Sequence, residues 1–280
     1  MSDYQKEVAQ GQRFEFGANW ARFLSVLNEE RIGMAEASLK QMLEVEDLEG
    51  KRFLDIGSGS GLFSLAARRL GAHVHSFDYD PQSVACTTEL KRRYFPDDGR
   101  WVVEEGSVLD TDYLSHLGQF DVVYSWGVLH HTGAMWKALE NVAPMVQSGG
   151  QLFIAIYNDQ GGWSHRWHLL KRIYNRLPRI ARTPYALAVM GPRSLKHLMI
   201  ATLKGKPGMF VTNVRCYSEC SMRGMSYWHD LVDWIGGYPF EFAKPEKIFK
   251  FFRVRGYHLE NLRTCAGGLA CNEFVFSKID

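Results

Sequence analysis

The chain has 280 residues, of which 46% are hydrophobic and 23% charged, and its formal net charge is +2. This composition is ordinary for a globular protein, and the length favours one domain with an insertion over two equal domains. The sequence has no run of eighteen apolar residues and no Cys-x-x-Cys pair among its five cysteines, so it predicts neither a membrane-spanning helix nor a metal site.

The N-terminal part, residues 1–49, is predicted to form a helical cap. Its start is polar and lacks the apolar stretch of a secretory signal, so a cytoplasmic protein is expected. The apolar pattern from roughly residue 14 to residue 43 predicts helix.

A strand, a glycine turn and a helix follow at the start of the predicted core, residues 50–157. The strand ends at Ile56, glycines stand at 57, 59 and 61, and a helix begins near Leu62. Glycines let the backbone approach a ligand, and the first N–H groups of the helix point into the same space. A dinucleotide fingerprint requires its third glycine at position 62, and Asp55 would repel a pyrophosphate but suits an ammonium group. An Asp before Gly-x-Gly-x-Gly resembles the nucleotide-binding loop of class I S-adenosylmethionine-dependent methyltransferases.

The next two strands are predicted at 73–78 and 101–105, with a helix from Pro81 to about Tyr94 between them. Asp78 ends its strand 23 residues after Asp55, where a carboxylate can accept hydrogen bonds from both ribose hydroxyls, although it also belongs to a turn and helix cap. Ser107 and Val108 follow the third strand, within reach of an adenine ring. Many family members carry Asp where this chain has Ser107.

The run from Phe120 to Thr132 is the second strong motif. It predicts a fourth strand ending at Trp126, and it resembles the corresponding motif of small-molecule methyltransferases such as those of quinone biosynthesis. In that family the backbone after this strand touches the methionine part of the cofactor, which implies a role for Ser125, Trp126 and Gly127. A helix over 134–146 and a buried strand over 151–157 complete the core. The predicted cofactor-binding residues are Asp55, Gly57, Ser58, Gly59, Asp78, Tyr79, Ser107, Val108, Ser125 and Trp126.

Three side chains are candidates for the catalytic base that an alcohol acceptor needs. They are His130, His131 and Tyr157, with Asp159 as a further candidate. Each histidine could equally have a structural role, because the motif does not assign one.

Residues 158–244 are predicted to form a basic helical lid that determines acceptor specificity. Their net charge, counted to residue 245, is +8, against −8 for residues 1–157. Helices are expected over about 163–177 and 184–203. The first should place Trp163, Trp167, Leu170, Tyr174 and Leu177 on one face, and Arg166, Lys171, Arg172 and Arg176 on or beside the opposite one.

The basic face of this first helix is compatible with solvent, with an anionic acceptor or with peripheral contact with a membrane surface. Residues 227–241 are expected to form a loop whose His229, Asp230 and Asp233 could contact the acceptor.

A helix over 245–255 and two strands, over 257–264 and 272–277, complete the predicted fold. That fold is an α/β, doubly wound, mostly parallel seven-stranded sheet of the Rossmann-like methyltransferase type. The resemblance implies S-adenosylmethionine as cofactor and methyl transfer to a small or medium molecule, at the oxygen of a phenolic, sugar, carboxylate or lipid-like acceptor. Two alternatives stay open: an RNA-modifying methyltransferase that uses the basic lid, and a non-catalytic scaffold that binds the cofactor.

Overall fold

A seven-stranded sheet with one antiparallel strand organises the chain. The computed structural model describes residues 3–17, 20, 23–203, 205, 208, 212, 227–266, 268 and 270–279. The strand order is β3-β2-β1-β4-β5-β7-β6, in which the first five strands run parallel and β7 is antiparallel to its neighbours β5 and β6. The strands are β1 Arg52–Ile56, β2 His73–Asp78, β3 Trp101–Glu105, β4 Phe120–Trp126, β5 Val146–Tyr157, β6 Tyr257–Arg263 and β7 Cys271–Lys278.

Helices cover both faces of this sheet, and a separate group of helices forms the insertion. In chain order they are α1 Asp3–Ala9, α2 Glu29–Leu43, α3 Leu62–Arg69, α4 Pro81–Tyr94, α5 Thr111–Leu117, α6 Met135–Val142, α7 Gly162–Arg176, α8 Arg179–Leu203, α9 Tyr227–Gly236 and α10 Pro245–Arg253. The predicted doubly wound α/β fold is therefore confirmed.

Alternating side chains of the central strands supply two separate cores. Phe53, Tyr124 and Phe153 pack towards α2, α3 and α4 on one face. Leu54 and Ile154 pack towards α6 and α10 on the other. Because successive strand residues point to opposite faces, strands this apolar require cover on both sides. The carboxyl ends of β1, β2, β3 and β4 consequently open at one edge, where the glycine turn lies.

The predicted helix over residues 14–43 is interrupted, because residues 14–16 and 24–28 are not helical. Helix α2 begins only after Asn28, whose side chain caps it by accepting from Arg31 N. Residues 14–17 are held instead by distant partners: Phe14 N donates to Tyr238 O, and Gly17 N donates to the Asp80 carboxylate. These tertiary hydrogen bonds override the local helical pattern.

The insertion also differs from expectation. Residues 227–236 form a helix, because Leu231, Trp234 and Ile235 fall on one side and pack in a small apolar cluster with Tyr174 and Met190. The second lid helix begins at residue 179 rather than 184 and contains two prolines.

The predicted faces of α7 are partly reversed. Trp163 is 60% exposed, whereas Lys171 is fully buried and donates from Nζ to Trp234 O. Lys171 and Asn175 therefore face inward and donate to the backbone carbonyls of Trp234 and Gly236, which periodicity alone does not indicate.

Candidate active site

The glycine turn is clamped between two other segments of the chain. Gly57 adopts φ +78°, and a Cβ on it would lie 2.4 Å from Val128 Cγ1. The amides of Gly57 and Ser58 both donate to Phe77 O, at 2.8 and 3.2 Å, and Ser58 Oγ lies 2.9 Å from Thr87 Oγ1. The turn after β1 is thus fixed against the end of β2 and against the loop after β4, and only glycine fits at position 57.

The two acids at the end of β2 have different roles. Asp80 caps α4 by accepting from Gln82 N at 2.9 Å. Asp78 accepts from Gly59 N and from Asp80 N, each at 2.9 Å. An ionised carboxylate has about four acceptor sites, so Asp78 retains acceptor capacity on the side that lines the cavity. The sequence left cap and ligand contact as alternatives for this region, and the structure shows that Asp80 provides the cap.

Asp55 ends a buried chain of hydrogen bonds. Trp101 Nε1 donates to Ser76 Oγ at 2.9 Å, Ser76 Oγ donates to Ser64 Oγ at 2.7 Å, and Ser64 Oγ donates to Asp55 Oδ2 at 2.5 Å. The direction is fixed because an indole nitrogen can only donate. The chain therefore holds the Asp55 carboxylate in one orientation at the cavity wall, where it is 2% exposed.

Both carboxylates carry raised pKa values. Burial, opposed by the Ser64 hydrogen bonds and reinforced by the charge of Asp78, raises the pKa of Asp55 to about 7. Burial also raises the pKa of Asp78 to about 6, against the hydrogen bonds from Asp80 and Gly59. Two desolvated acids in one cavity favour a ligand that brings positive charge and hydrogen-bond donors.

The other predicted cofactor residues line the cavity, with the exception of Ser125. Ser107, Val108, Tyr79 and Trp126 line it together with Gly57, Ser58 and Gly59. Ser107 Oγ accepts from Leu109 N at 3.2 Å, so this hydroxyl already has a local partner. The side chain of Ser125 is fully buried, donates to Ile56 O at 3.0 Å and is not part of the cavity wall.

His130 and His131 are adjacent in sequence but differ in environment and tautomer. His130 is fully buried away from the cavity, and its Nδ1 accepts from Tyr157 N at 3.4 Å. His131 lines the cavity, and its Nδ1 lies 2.5 Å from Pro239 O. A carbonyl oxygen only accepts, so Nδ1 of His131 carries the proton and Nε2 carries the lone pair of the neutral ring.

Tyr157 also lines the cavity, and its ring lies 5.4 Å from that of His131 in an edge-on arrangement. Asp159 accepts from Gly161 N at 2.8 Å and does not belong to the cavity wall. The side chains of His229, Asp230 and Asp233 lie outside the described residues.

The cavity has a volume of 1170 Å³ and continues well beyond the predicted cofactor residues. Its far walls come from residues that the sequence did not single out as part of the site. These are Arg13, Phe14, Phe16 and Trp20 from the N-terminal part, Met190 and Trp234 from the insertion, and Glu273 from β7. The density of aromatic residues over positions 14–20 was a usable signal for the first group. Nothing local marks Glu273, which accepts from Trp126 Nε1 at 3.1 Å across the intervening strand.

Comparison with known proteins identifies the family. A family model described as a methyltransferase domain matches residues 27–202, which is more than half of the chain. The chain belongs to the methyltransferase family.

Curated methyltransferases match part of this chain. A ubiquinone biosynthesis O-methyltransferase of Rhizobium etli is 34% identical over 113 residues, which are 40% of this chain and 43% of that protein. A ribosomal protein L11 methyltransferase of Methylococcus capsulatus is 41% identical over 73 residues, 26% of this chain and 25% of that protein. The chain thus spans less than half the length of these curated relatives.

Solved methyltransferase structures share the fold. Magnesium protoporphyrin IX methyltransferase of Synechocystis, solved with bound S-adenosylhomocysteine, superposes with a TM-score of 0.52 at 12% identity over 88% of this chain and 82% of that one. A putative methyltransferase in complex with the Haloferax volcanii Trm112 activator gives a TM-score of 0.51 at 14% identity over 95% and 96%.

Proposed function

We propose that this methyltransferase uses S-adenosylmethionine to methylate a hydroxyl oxygen on a small or medium acceptor that carries a flat aromatic ring. The fit of the donor is argued from the cavity wall. Its two carboxylates and their raised pKa values match a ligand with an ammonium group, a sulfonium and a ribose diol, and no phosphate has to be accommodated beside Asp55.

Three parts of the edge would hold this donor. Asp78 would accept from ribose hydroxyls, Asp55 would face the ammonium group, and the turn at Ser107–Val108 would border the adenine. When bound, S-adenosylmethionine supplies an electrophilic methyl group on a sulfonium. The task of the protein is to orient an acceptor in line with that group and to exclude water, and orientation alone is worth ~7–11 kcal/mol in favourable cases.

The proposal that the methyl group goes to an oxygen atom rests on the tautomer of His131. Its Nδ1–H is anchored to Pro239 O, so Nε2 is the basic nitrogen of a ring that lines the cavity. Such a nitrogen can take the proton from an acceptor hydroxyl as the oxygen attacks. The aromatic side chains of Phe14, Phe16 and Trp234 along the same cavity favour an acceptor with a flat ring. The relatives named O-methyltransferases support oxygen as the acceptor atom.

The test is an acceptor screen scored by release of S-adenosylhomocysteine. Catechols, quinols, simple phenols, sugars and carboxylic acids are compared at equal concentration, and the aromatic hydroxyl compounds should give the highest kcat/KM. Product from carboxylic acids or sugars alone would overturn the proposal of an acceptor with a flat aromatic ring. Binding of S-adenosylmethionine with no turnover on any class would favour the non-catalytic scaffold instead.

The role of His131 is tested with His131→Asn. The Asn amide can replace the Nδ1–H donor to Pro239 O, but it has no basic nitrogen at the position of Nε2. We expect kcat to fall by about 10²–10⁴-fold with the affinity for S-adenosylmethionine unchanged. The loss should shrink for nitro-substituted phenols, because these acceptors are already ionised.

His130→Asn is the matched control for this test, because Asn Oδ1 can accept from Tyr157 N as Nδ1 of His130 does. It should leave kcat within a few-fold of the parent protein. Equal losses in the two variants, independent of acceptor acidity, would refute the assignment of His131 as the base.

A further inference from the structure

The first two helices of the insertion carry charge of one sign only. Residues 162–203, which form α7 and α8, contain eight Lys or Arg residues and no Asp or Glu. The chain before residue 158 has the opposite balance, with a net charge of −8. The excess of positive over negative charge is therefore concentrated on α7 and α8, although the net charge of the whole chain is only +2.

The outward face of α7 mixes these cations with large apolar side chains. Trp163 is 60% exposed and Leu169 55% exposed, and Ile173 is also exposed. Arg166, Arg172 and Arg176 are exposed on the same half of the helix, because their spacing from the three apolar residues follows the helical repeat. We call these six residues the outer face of α7.

The opposite side of α7 is fully occupied by the protein itself. Ser164, Lys171, Tyr174 and Asn175 are buried. Asn175 Nδ2 donates to Gly236 O at 2.7 Å, and Lys171 Nζ donates to Trp234 O. The outer face of α7 is consequently not the side of the helix that packs on the rest of the protein. An exposed apolar surface of this kind is typical of a site that binds a partner.

Helix α8 also exposes large apolar side chains. Its exposed large apolar residues are Ile180, Leu187, Leu195, Met199, Ile200 and Leu203, of which Ile180 is 87% exposed and Leu203 85% exposed. On its inner side, Met190 lines the 1170 Å³ cavity. The element that presents apolar groups outward thus also forms part of the cavity wall.

We propose that the outer face of α7 binds the surface of an anionic lipid bilayer. Arginines attract anionic head groups, and Trp, Leu and Ile gain free energy by entering the boundary between head groups and acyl chains. A nucleic acid would satisfy the arginines equally well but would leave the exposed aliphatic side chains in water, so charge and apolarity together favour lipid. The contact lies on the surface, since no helix in the described part of the chain has the length and hydropathy to cross a membrane.

The proposal is tested by co-sedimentation of the full chain with vesicles. Vesicles of phosphatidylcholine alone are compared with vesicles containing phosphatidylglycerol at physiological salt. We expect binding to the anionic vesicles and at least about tenfold weaker binding to the neutral ones. The measurement needs no turnover, so its result is independent of the proposed methyl transfer.

Two triple variants separate charge from apolarity. Arg166→Glu with Arg172→Glu and Arg176→Glu should weaken vesicle binding by about 100-fold or more. Trp163→Ser with Leu169→Ser and Ile173→Ser should weaken it by about tenfold or more while the charge stays the same. Val254→Ser is the control, because Val254 is 74% exposed outside the insertion and should leave binding unchanged.

Three outcomes would overturn the proposal. The first is no binding to anionic vesicles by the folded parent chain. The second is binding that survives the triple Ser substitution unchanged, which would reduce the contact to charge alone. The third is tight binding of a single-stranded RNA oligonucleotide at the same salt without vesicle binding, which would assign the surface to nucleic acid.

Discussion

The cofactor edge of the sheet and the helical insertion are held together in different ways. At the edge, defined here as residues 52–132, hydrogen bonds from within the same range fix the ligand-facing carboxylates: Asp78 accepts from Gly59 N and Asp80 N, and Asp55 accepts from Ser64. In the insertion, side chains of α7 satisfy carbonyls more than 60 positions away, from Lys171 to Trp234 and from Asn175 to Gly236.

This contrast explains why the structure of the edge can be predicted from the sequence and that of the insertion cannot. His168 Nδ1 lies 2.8 Å from Phe240 O, and together with Lys171 and Asn175 it follows the spacing i, i+3, i+7 on one side of α7. That polar row holds residues 234–240, whose Pro239 O in turn anchors His131. The insertion therefore positions His131 through a backbone carbonyl, whereas the edge contributes the side chains of Asp55 and Asp78 to the cavity wall.

The largest expected effect is on binding at the edge. Asp55→Asn combined with Asp78→Asn keeps the shape of both side chains and removes their charge. We expect affinity for S-adenosylmethionine to fall by roughly a thousand-fold, ~4 kcal/mol, because two charge-assisted contacts are lost. Isothermal titration calorimetry measures this directly.

Asp159→Asn serves as the control for that measurement, since this acid follows β5 but does not line the cavity. It should bind the cofactor as the parent protein does. Unchanged affinity in the double variant, with its fold intact by circular dichroism, would show that the two acids do not hold the donor.

A second effect is expected on stability of the ligand-free protein. The pKa of Asp55 is raised to about 7 in the folded state, against about 3.9 in an unfolded chain. The folded state therefore binds more protons between these values, so this group makes the protein less stable as pH rises through that window. The penalty is fully present above pH 7 and absent below about pH 4.

Asp55→Asn should remove this penalty. The variant should be more stable than the parent at pH 8 by an amount on the order of 3 kcal/mol, with a smaller difference at pH 5. Urea unfolding at both pH values provides the measurement. A variant that is less stable than the parent at pH 8 would mean that the lost hydrogen bond to Ser64 outweighs the desolvation of the charge.

The smallest effect is a local loss of stability that should be confined to the insertion. Lys171→Met retains the apolar stem but leaves Trp234 O without this donor, at a cost of about 1–3 kcal/mol. Hydrogen exchange should show faster exchange in α7 and α9, with the central strands unchanged. Arg172→Met, on the exposed side of the same helix, should leave both regions as they are. Faster exchange throughout the sheet would indicate that the insertion is not a separate unit of stability.

The strands and the helix of the edge could be predicted from the sequence because local patterns specify their bounds. The predicted bounds of β2, α4, β3 and β4 agree with the structure, since alternating apolar residues and a Pro after an acidic cap specify them. The predictions failed at residues 14–16, 24–28 and 227–236, and on the faces of α7. In each case distant partners decide the outcome: Asp80 and Tyr238 for the N-terminal part, and the carbonyls of Trp234 and Gly236 for α7.

The sequence by itself determined the doubly wound sheet, the glycine turn and the two acids beside it, because these depend on periodicity and on short spacings that neighbours along the chain enforce. Only the tertiary structure decided which histidine faces the cavity. His130 and His131 have the same chemistry and adjacent positions, and their tautomers are set by Tyr157 N and Pro239 O, groups that only folding brings to them. The physical reason is that a hydrogen bond depends on position and direction in space, which distant parts of the chain supply.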